Sequence, residues 1–432
     1  MLTKLETPPV NTIETDQLTA LVGRVLRISD ITLGDDRRAN YLVRYRGQLY
    51  GESAEAYDQL AEILRPYEIT PLFRNTRDET PPPQRGQRAA PESAAIPRND
   101  PHTILLLRGV IHPKASNPWV NAILFALTLV SMVFTGALFT LEGSANPTPD
   151  ELARGLLANL DQGLAFAVSL LAILTTHEFG HYLAARRHNT AVTLPYFIPF
   201  PFSAFGTMGA FIQLKEPPRN KRILLDIGIA GPLAGLVVAV PVLLLGLSLS
   251  KVSPIEIDPV AGFTLEGNSL LYLASKYLVF GQLLPAPASY GDVNPVVYWI
   301  RYFFTGQPLP IGGMDVLIHP VAWAGWAGLL VTALNLIPAG QLDGGHVLYV
   351  LLGKRARLVW PIVFWGLIAL GFVWNGWWLW AMIIFLLGRV YADPLDGITT
   401  LDPNRRILAL VGIVVFLLVF TPVPMIAIAA AP

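Results

Sequence analysis

The chain contains no cysteine and few charged residues. Because none of its 432 residues is cysteine, disulfides and thiolate ligands are excluded, and a metal site must use His, Asp or Glu. Charged residues make up 14% and hydrophobic residues 53% of the chain, whereas a soluble domain carries about 25% charged residues. Lys+Arg and Asp+Glu balance at 31 each, so bulk charge does not favour a nucleic-acid partner. The composition predicts a chain that lies mostly in a lipid bilayer.

The N-terminal part is more polar than the rest of the chain. Its first residues carry no apolar segment, so we expect no cleavable signal peptide. Residues 1–75 predict a small soluble α+β domain, with helical spacing at 17–26, strand-like alternation at 41–45, a helix from Ser53 and a strand near 69–73. Residues 76–100 are rich in proline and predict a linker. We expect this domain to be a docking or regulatory module, and its partner is unknown from sequence.

Residues 101–432 predict a transmembrane domain, with its core at about 118–390. Apolar runs long enough to cross a ~30 Å hydrocarbon core recur along it. They lie near 118–141, 163–186, 223–249, 321–337, 358–374 and 407–427. A shorter run at 376–390 either spans the bilayer or follows a tight turn. The predicted fold class is therefore a polytopic α-helical membrane protein with six or seven transmembrane helices and a small N-terminal soluble α+β domain.

Positive charge predicts the orientation of these spans. The loop at 186–222 is strongly basic, and the later basic groups at 354–357, 389 and 405–406 fall on the same side if seven spans alternate. We therefore expect the N-terminus and the end of the second span to be cytoplasmic. The compact layout favours a prokaryotic plasma membrane. The outer segment at 251–320 contains stretches that predict either interfacial helices or internal packing.

The second apolar run contains the motif His177-Glu178-Phe179-Gly180-His181. Ionisable residues inside a membrane span are costly and mark function. Because residues four apart lie on one face of a helix, both imidazoles can bind one metal ion. Glu178 can then act as a general base toward water. The motif predicts a Zn²⁺-dependent peptidase with Glu178 as its catalytic residue.

A catalytic zinc usually takes three protein ligands. Asp343 is the best third candidate, because it follows an apolar run and is flanked by glycines that let the chain turn. His346 is a rival ligand, or else a group that supports the ligands. Asn335 either donates to a developing oxyanion or makes a hydrogen bond between packed helices. We expect His177, His181 and Asp343 to hold the metal.

Together the two motifs resemble the site-2 protease family of intramembrane zinc metalloproteases. The resemblance covers roughly 118–390 and rests on the His177–His181 motif paired with Asn335-x-x-Pro338 and Leu342-Asp343-Gly344-Gly345. It implies that His177, His181 and Asp343 bind zinc and that Glu178 activates water. It also implies a membrane-protein substrate cut within or next to a transmembrane segment.

The loop at 195–214 also resembles the family. Its segment Gly206-Thr207-Met208-Gly209 corresponds to a membrane-associated hairpin or loop that holds the unwound substrate in the family. An edge strand can accept the backbone groups of an opened helix, whereas a plain re-entrant loop would only plug the site. The segment at 230–235 predicts close helix packing through small residues.

The chain departs from many family members in having no clear PDZ domain. A soluble domain ahead of the membrane part is closer to the chloroplast and cyanobacterial branch. Two other functions stay open from the sequence. A membrane metal transporter would use the same three ligands as a transit site, and a non-cleaving membrane chaperone would use the same groove without hydrolysis.

Overall fold

A computed structural model of the chain describes residues 13–34, 41–76, 101–139, 148–255 and 263–428. The chain divides into two compact units. The first consists of Met1–Lys114, Glu216–Leu224 and Asp393–Asp402, and the second consists of Ala115–Lys215, Leu225–Ala392 and Pro403–Pro432. Most of the predicted linker, residues 77–100, lies outside the described residues.

The first unit is a four-stranded antiparallel sheet with helices. Its elements are α1 (Thr15–Val22), β1 (Leu26–Leu33), β2 (Val43–Leu49), α2 (Ser53–Leu64), a 3₁₀ turn (Arg65–Tyr67), β3 (Ile69–Asn75) and β4 (His102–Arg108). The strand order is β1-β2-β4-β3. Buried side chains alternate with more exposed ones along β2 and β3, as expected for a sheet with one covered face.

The predicted domain boundaries differ from this arrangement. The predicted soluble domain ends at residue 75, and the predicted membrane domain begins at residue 101. In the structure β4 lies between β2 and β3, and each of these two strands pairs with it along most of its length. The α+β unit therefore includes residues beyond the predicted linker, because β4 supplies backbone hydrogen bonds that β2 and β3 would otherwise lack.

Two further chain segments extend the same sheet. The first segment is residues 395–397. The backbone N–H of Phe73 donates to the carbonyl of Leu395 (3.0 Å), and the N–H of Gly397 donates to the carbonyl of Phe73 (3.0 Å). The second segment includes Pro218 and Arg219, whose carbonyls accept from the N–H groups of Leu395 (3.0 Å) and Asp396 (2.6 Å). Segments that are distant in sequence thus become additional extended chains next to β3.

The carboxylate of Asp396 holds the first of these segments in its turn. The side chain is fully buried, and it accepts hydrogen bonds from the backbone of Ile398 (2.8 Å) and Thr399 (3.2 Å) and from the Thr399 hydroxyl. The hydroxyl of Ser53, the first residue of α2, in turn lies 3.1 Å from the Thr399 hydroxyl. This network links the segment to the core of the unit.

The second unit is mainly helical. Its helices are α3 (Pro118–Phe139), α4 (Pro149–Ala158), α5 (Leu160–Arg187), α6 (Lys221–Ser248), α7 (Leu270–Phe280), α8 (Pro295–Thr305), α9 (Pro320–Asn335), α10 (Asp343–Leu352), α11 (Trp360–Gly371), α12 (Gly376–Leu387) and α13 (Pro403–Val419), with a 3₁₀ segment at Gly353–Leu358. Helix α6 starts at Lys221, and the boundary between the units falls within this helix.

Among the described residues of this unit, six short strands form three two-stranded sheets. They are β5 (Tyr196–Pro199), β6 (Thr207–Phe211), β7 (Lys251–Pro254), β8 (Phe263–Glu266), β9 (Met314–Leu317) and β10 (Met425–Ile428). The antiparallel pairs are β5 with β6, β7 with β9 and β8 with β10. The described residues of the predicted outer segment therefore contain two helices, α7 and α8, and three strands, β7 to β9.

Three helices among the described residues are long and apolar enough to cross a bilayer, namely α3, α5 and α6. The other predicted spans are shorter in the structure. At 1.5 Å per residue, the 16 residues of α9 extend only about 24 Å, less than a ~30 Å hydrocarbon core. The paired helices α11 and α12 have 12 residues each. The count of six or seven spans is therefore not confirmed, whereas a mostly helical chain with a small strand-containing N-terminal region is.

We expect Asp396→Asn to destabilise the first unit. The change removes a buried charge that accepts several hydrogen bonds, and each such bond contributes about 1.5–3 kcal/mol. Hydrogen exchange of β3 in the full chain, followed by mass spectrometry, should report faster exchange. The matched control is Asp58→Asn, because Asp58 is 57% exposed in its ion pair with Arg219, and such pairs contribute about 0–1 kcal/mol. Equal protection of β3 in Asp396→Asn and the unchanged protein would contradict this account.

Candidate metal centre

Helix α5 carries His177, Glu178 and His181 in the interior of the second unit. Their exposed fractions are 2%, 5% and 6%. The helix has Asp161 in its first turn and two arginines in its last turn, which complement the helix dipole. The helix continues without a break through the motif, so the four-residue spacing of the histidines places both imidazoles on one face.

Asp343 reaches the same place from a different part of the chain. It is the first residue of α10 and follows a turn that begins where α9 ends at Asn335. Gly344 packs directly on this turn, and a methyl group there would overlap the carbonyl of Leu336. Only glycine allows α10 to begin so close to the preceding backbone. The glycines after Asp343 thus serve close packing of the turn.

Three potential ligand atoms converge at this point. The Nε2 atoms of His177 and His181 lie 3.2 Å apart. The Oδ2 atom of Asp343 lies 3.4 Å from the first and 3.3 Å from the second. Among the described residues these three side chains form the single group of three or more His, Asp or Glu that is arranged to hold a metal ion.

The donor set and its spacing fit zinc. Zinc binds imidazole nitrogen and carboxylate oxygen at about 2.0–2.2 Å in tetrahedral geometry, which separates ligand atoms by roughly 3.3–3.5 Å. The three separations in the structure, 3.2 to 3.4 Å, are close to these values. Two histidines and one carboxylate also leave a fourth position open, as catalytic sites require.

Helix α6 supports the imidazole of His181. Its Nδ1–H donates to the backbone carbonyl of Ile227 at 2.7 Å, which leaves Nε2 as the atom that faces the other two ligand atoms. Gly231, one turn later, lies against the same ring, and a methyl group there would overlap it. The segment at 230–235, predicted to pack closely between helices, therefore also shapes the metal centre.

The position of α6 is fixed by an ion pair next to Ile227. The carboxylate of Asp226 accepts two hydrogen bonds from Arg405 of α13, at 2.8 and 2.6 Å. It also accepts one from Nε2 of His188 (2.9 Å), the residue that follows α5. Three helices are thereby tied together close to the carbonyl that orients His181.

Glu178 lies beside the three ligand atoms without belonging to their group. Ile212, just beyond β6, lines the same cavity as Glu178. Asn335, at the end of α9, donates from Nδ2 to Nε2 of His177 over 3.3 Å. The structure thus brings Glu178 and Asn335 together with the predicted ligands.

His346 lies near the centre but outside the ligand group. It lines the same cavity as the three ligands, and its Nδ1 is buried with no hydrogen-bond partner among the described residues. The ligand atoms of His177, His181 and Asp343 converge without it.

The loop at 195–214 forms the antiparallel hairpin β5–β6. Its turn is held by Gly206, whose carbonyl accepts from the hydroxyl of Ser131 at 2.6 Å, and by Thr207, which donates to the carbonyl of Ile198 at 2.8 Å. Strand β6 pairs only with β5 among the described strands. Strand β6 lies beside the metal centre, since Thr207, Met208 and Gly209 line a cavity that His177 and Glu178 also line, whereas Gly206 does not line it.

Two cavities meet at Glu178. The polar cavity has a volume of about 210 Å³ and the apolar cavity about 190 Å³. Both are lined by His177, Glu178, Ala210 and Asn335. The polar cavity, which is the more polar of the two, adds His181, Gln341, Asp343 and His346, together with apolar side chains such as Phe211, Leu214 and Ile227. The apolar cavity adds Leu170, Leu174, Leu330, Val331, Leu334 and Trp380.

Three features of the centre were not predicted from the sequence. The place of Ile212 in the cavity wall depends on the fold of the hairpin, and the carbonyl of Ile227 is a backbone group, so the sequence carries no signal for either. Trp380 lies in α12, within the short apolar run whose path through the bilayer the sequence leaves open. No pattern in the sequence connects it to the motif in α5.

Comparisons with known proteins find a peptidase family whose match covers this centre. Residues 165–363 match peptidase family M50, a stretch that includes all three candidate ligands. This match confirms the resemblance inferred from the two motifs. The comparison with solved structures gives no match.

Several of the similar proteins are named as chloroplastic proteins of plants. The chain is 29% identical over 405 residues to the probable zinc metalloprotease EGY1, chloroplastic, of Oryza sativa subsp. japonica, which covers 89% of this chain and 62% of that protein. It is 30% identical over 338 residues to EGY1 of Arabidopsis thaliana, covering 74% and 56%. It is 28% identical over 396 residues to EGY2 of Oryza sativa subsp. indica, covering 88% and 62%. The chain thus spans about three fifths of the length of these relatives.

We expect Gly231→Ala to weaken metal binding, because the added methyl group must push the His181 imidazole away from its position. Loss of an interaction that orients a zinc ligand costs about 10–100-fold in affinity. Competition with a zinc-sensitive chelator measures this affinity. The control is Gly366→Ala in α11, where a methyl group would meet open space. Equal zinc affinity in both variants would contradict the role assigned to Gly231.

Proposed function

Residues 165–363 are a peptidase family M50 region, and on this premise we propose that the protein is an intramembrane zinc metalloprotease. It hydrolyses a peptide bond within or next to a transmembrane segment of a membrane-protein substrate. The observation that carries this proposal is the convergence of three ligand atoms, 3.2 to 3.4 Å apart, beside a buried glutamate. The names of the similar plant proteins support it.

In this proposal His177, His181 and Asp343 hold the zinc ion. When bound, zinc lowers the pKa of a coordinated water to about 7 and polarises a carbonyl group. Ile227 keeps the His181 ring in the tautomer that offers Nε2 as a ligand. The dipole at the start of α10 favours the ionised carboxylate of Asp343.

Glu178 is the general acid and base. Its carboxylate takes a proton from the attacking water and delivers it to the nitrogen of the leaving amine. Its side chain lines both cavities that meet at this point. Its burial excludes bulk water from competing for the same proton.

Asn335 supports the oxygen that develops negative charge. Its amide group donates to Nε2 of His177 in the structure. Because that nitrogen is one of the three proposed ligands, its lone pair is committed to the metal when the site is loaded. The N–H groups of Asn335 are then available to a substrate oxygen.

The free edge of β6 receives the substrate backbone. A transmembrane helix must be opened before one of its peptide bonds can be attacked, and its freed N–H and C=O groups need partners in an apolar environment. An extended segment paired with β6 satisfies them, and the Thr207–Phe211 strand leads this segment past Glu178. Gly206 contributes by anchoring the hairpin to α3 through Ser131.

The full topology is part of the proposal. Six or seven spans, with the N-terminus and the metal centre toward the cytoplasmic side, agree with the distribution of basic residues in the loops. The similar proteins are chloroplastic and give no support to the prokaryotic plasma membrane expected from the sequence. The lipid bilayer and a transmembrane substrate are the proposed partners. The partner of the N-terminal domain is not part of the proposal.

A membrane metal transporter is a weaker candidate. Transport requires several binding positions along a path, whereas the described residues contain one group of three converging ligands. A non-cleaving chaperone would have no use for Glu178 next to these ligands. No specific observation favours either function over hydrolysis.

Replacing Glu178 by Gln should lower peptide cleavage by about 10²–10⁴-fold, because it removes the proton-transfer group. The zinc content of the purified protein should not change, since Glu178 lies outside the ligand group. Cleavage is measured on a panel of transmembrane peptides in detergent, and zinc by mass spectrometry of the metal. Glu62→Gln, at an exposed position of α2, is the control. Full activity of Glu178→Gln would refute the proposed mechanism.

Removal of the metal should abolish cleavage, and added zinc should restore it. Asp343→Asn should lower zinc affinity by more than about 100-fold, because even the outer partners of zinc ligands contribute about 10–100-fold. Asp161→Asn, at an exposed position of the same helix as the histidines, should bind zinc like the unchanged protein. If the chelated protein cleaved peptides at the original rate, hydrolysis would not depend on this centre.

A further inference from the structure

The two cavities that meet at Glu178 differ in the chemistry of their walls. We propose that the apolar cavity is a subsite for one large apolar side chain next to the scissile bond, and that the polar cavity receives the polar residues on the other side. Cleavage then falls where an apolar segment gives way to polar sequence, rather than in the middle of the span. This inference rests on the proposed proteolytic function and names the substrate feature that the centre selects.

Strand β6 connects the two cavities. Thr207 to Ala210 line the apolar cavity, while Ala210 to Ile212 line the polar cavity. Successive residues of an extended chain advance about 3.3 Å, so a peptide paired with β6 passes from one cavity to the other within a few residues. Ala210 and Glu178 line both cavities. The scissile bond therefore lies at the junction.

Much of the wall of the apolar cavity consists of aliphatic side chains. Leu170 and Leu174 come from the two helical turns before His177, and Leu330, Val331 and Leu334 come from α9. A charged side chain packed against these five residues would lose its hydration, which is costly. The volume of about 190 Å³ is sufficient for a phenyl or isobutyl group, since an apolar cavity of about 150 Å³ binds benzene. The cavity therefore fits Phe, Leu or Met.

The polar cavity offers hydrogen-bonding groups instead. His346 has a buried Nδ1 with no hydrogen-bond partner among the described residues, and Gln341 is exposed at the same cavity. A polar side chain or backbone group of the substrate can pair with either. An apolar side chain in this position would leave the buried Nδ1 of His346 unsatisfied, which disfavours it.

The positions of the two cavities along β6 do not determine whether the substrate strand runs parallel or antiparallel to β6, so the experiment must cover both directions. A substrate strand antiparallel to β6 and one parallel to it enter the cavities in opposite order. Two peptide series cover both cases, one with an apolar half followed by a polar half and one with the reverse order. In each series one residue at the junction is varied between Phe, Leu and Ala.

The test compares cleavage of these peptides by the full-length protein and two variants. Val331→Phe fills the apolar cavity from a half-buried position of α9. Val168→Phe makes the same change at a residue of α5 that is 54% exposed and does not line the cavity. Mass spectrometry of the products locates each cleaved bond, and initial rates give kcat/KM for each peptide.

We expect the unchanged protein to cut at the junction and to prefer Phe or Leu over Ala by about 10–200-fold in kcat/KM, the range for small changes in a hydrophobic pocket. Val331→Phe should reverse or abolish this preference by lowering kcat/KM for the Phe and Leu peptides while Ala peptides are still cut. Val168→Phe should keep the original preference. This differential effect separates a subsite from general damage, which would lower kcat/KM for all peptides together.

Three results would overturn the proposal. Cleavage in the middle of the apolar half would place the scissile bond elsewhere, and equal rates for Phe, Leu and Ala peptides would remove the subsite. A Val331→Phe variant that keeps the original preference would show that the cavity does not hold this side chain. Each of these requires cleavage by the unchanged protein, so they leave the proteolytic function standing. Failure of the unchanged, zinc-loaded protein to cut any peptide would instead refute the proposed function and the subsite together.

Discussion

The close approach of three electron-pair donors in the interior of the helical unit is the constraint on which the candidate site depends. Nε2 of His177, Nε2 of His181 and Oδ2 of Asp343 face one another at 3.2 to 3.4 Å. Lone pairs at this distance repel unless a cation or protons lie between them, and burial deprives them of water that would screen the repulsion. A cation with tetrahedral preference relieves this cost. Helices α5, α6, α9 and α10 are placed so that these three atoms stay close together.

Helix α6 contributes by packing closely against α5. It must approach α5 closely enough for the carbonyl of Ile227 to accept from His181, which excludes a side chain at Gly231. The ion pair of Asp226 with Arg405, together with His188, fixes α6 at the same level. Small residues therefore provide the close contact, and a charged network at the end of α5 prevents α6 from sliding along it.

Much of the metal centre could be predicted because its signals are local. The spacing of His177 and His181 determines their common face on any helix, and the glycines around Asp343 indicate a turn. The rest depends on pairing between distant segments. The hydrophobic pattern of β4 is short and follows the proline-rich stretch, so nothing in it indicates a place between β2 and β3. The contribution of residues 395–397 to that sheet is made by backbone groups, which leave no mark in the side-chain sequence.

The shortness of α9 follows from the same chemistry. A helix long enough to span the bilayer would continue beyond Asn335 and carry the following residues around its axis, away from the histidines. Ending at Asn335 allows the chain to turn, and α10 then begins with Asp343 directed at the ligands. Irregular backbone is tolerated inside a membrane only where it packs on protein or lines a water-containing cavity. Here the turn does both, because Gly344 packs on Leu336 and Gln341 and Leu342 line the polar cavity. The proposed hydrolysis needs water at the metal centre. The break between α9 and α10, which shortens α9, also supplies the polar cavity with wall residues beside that centre.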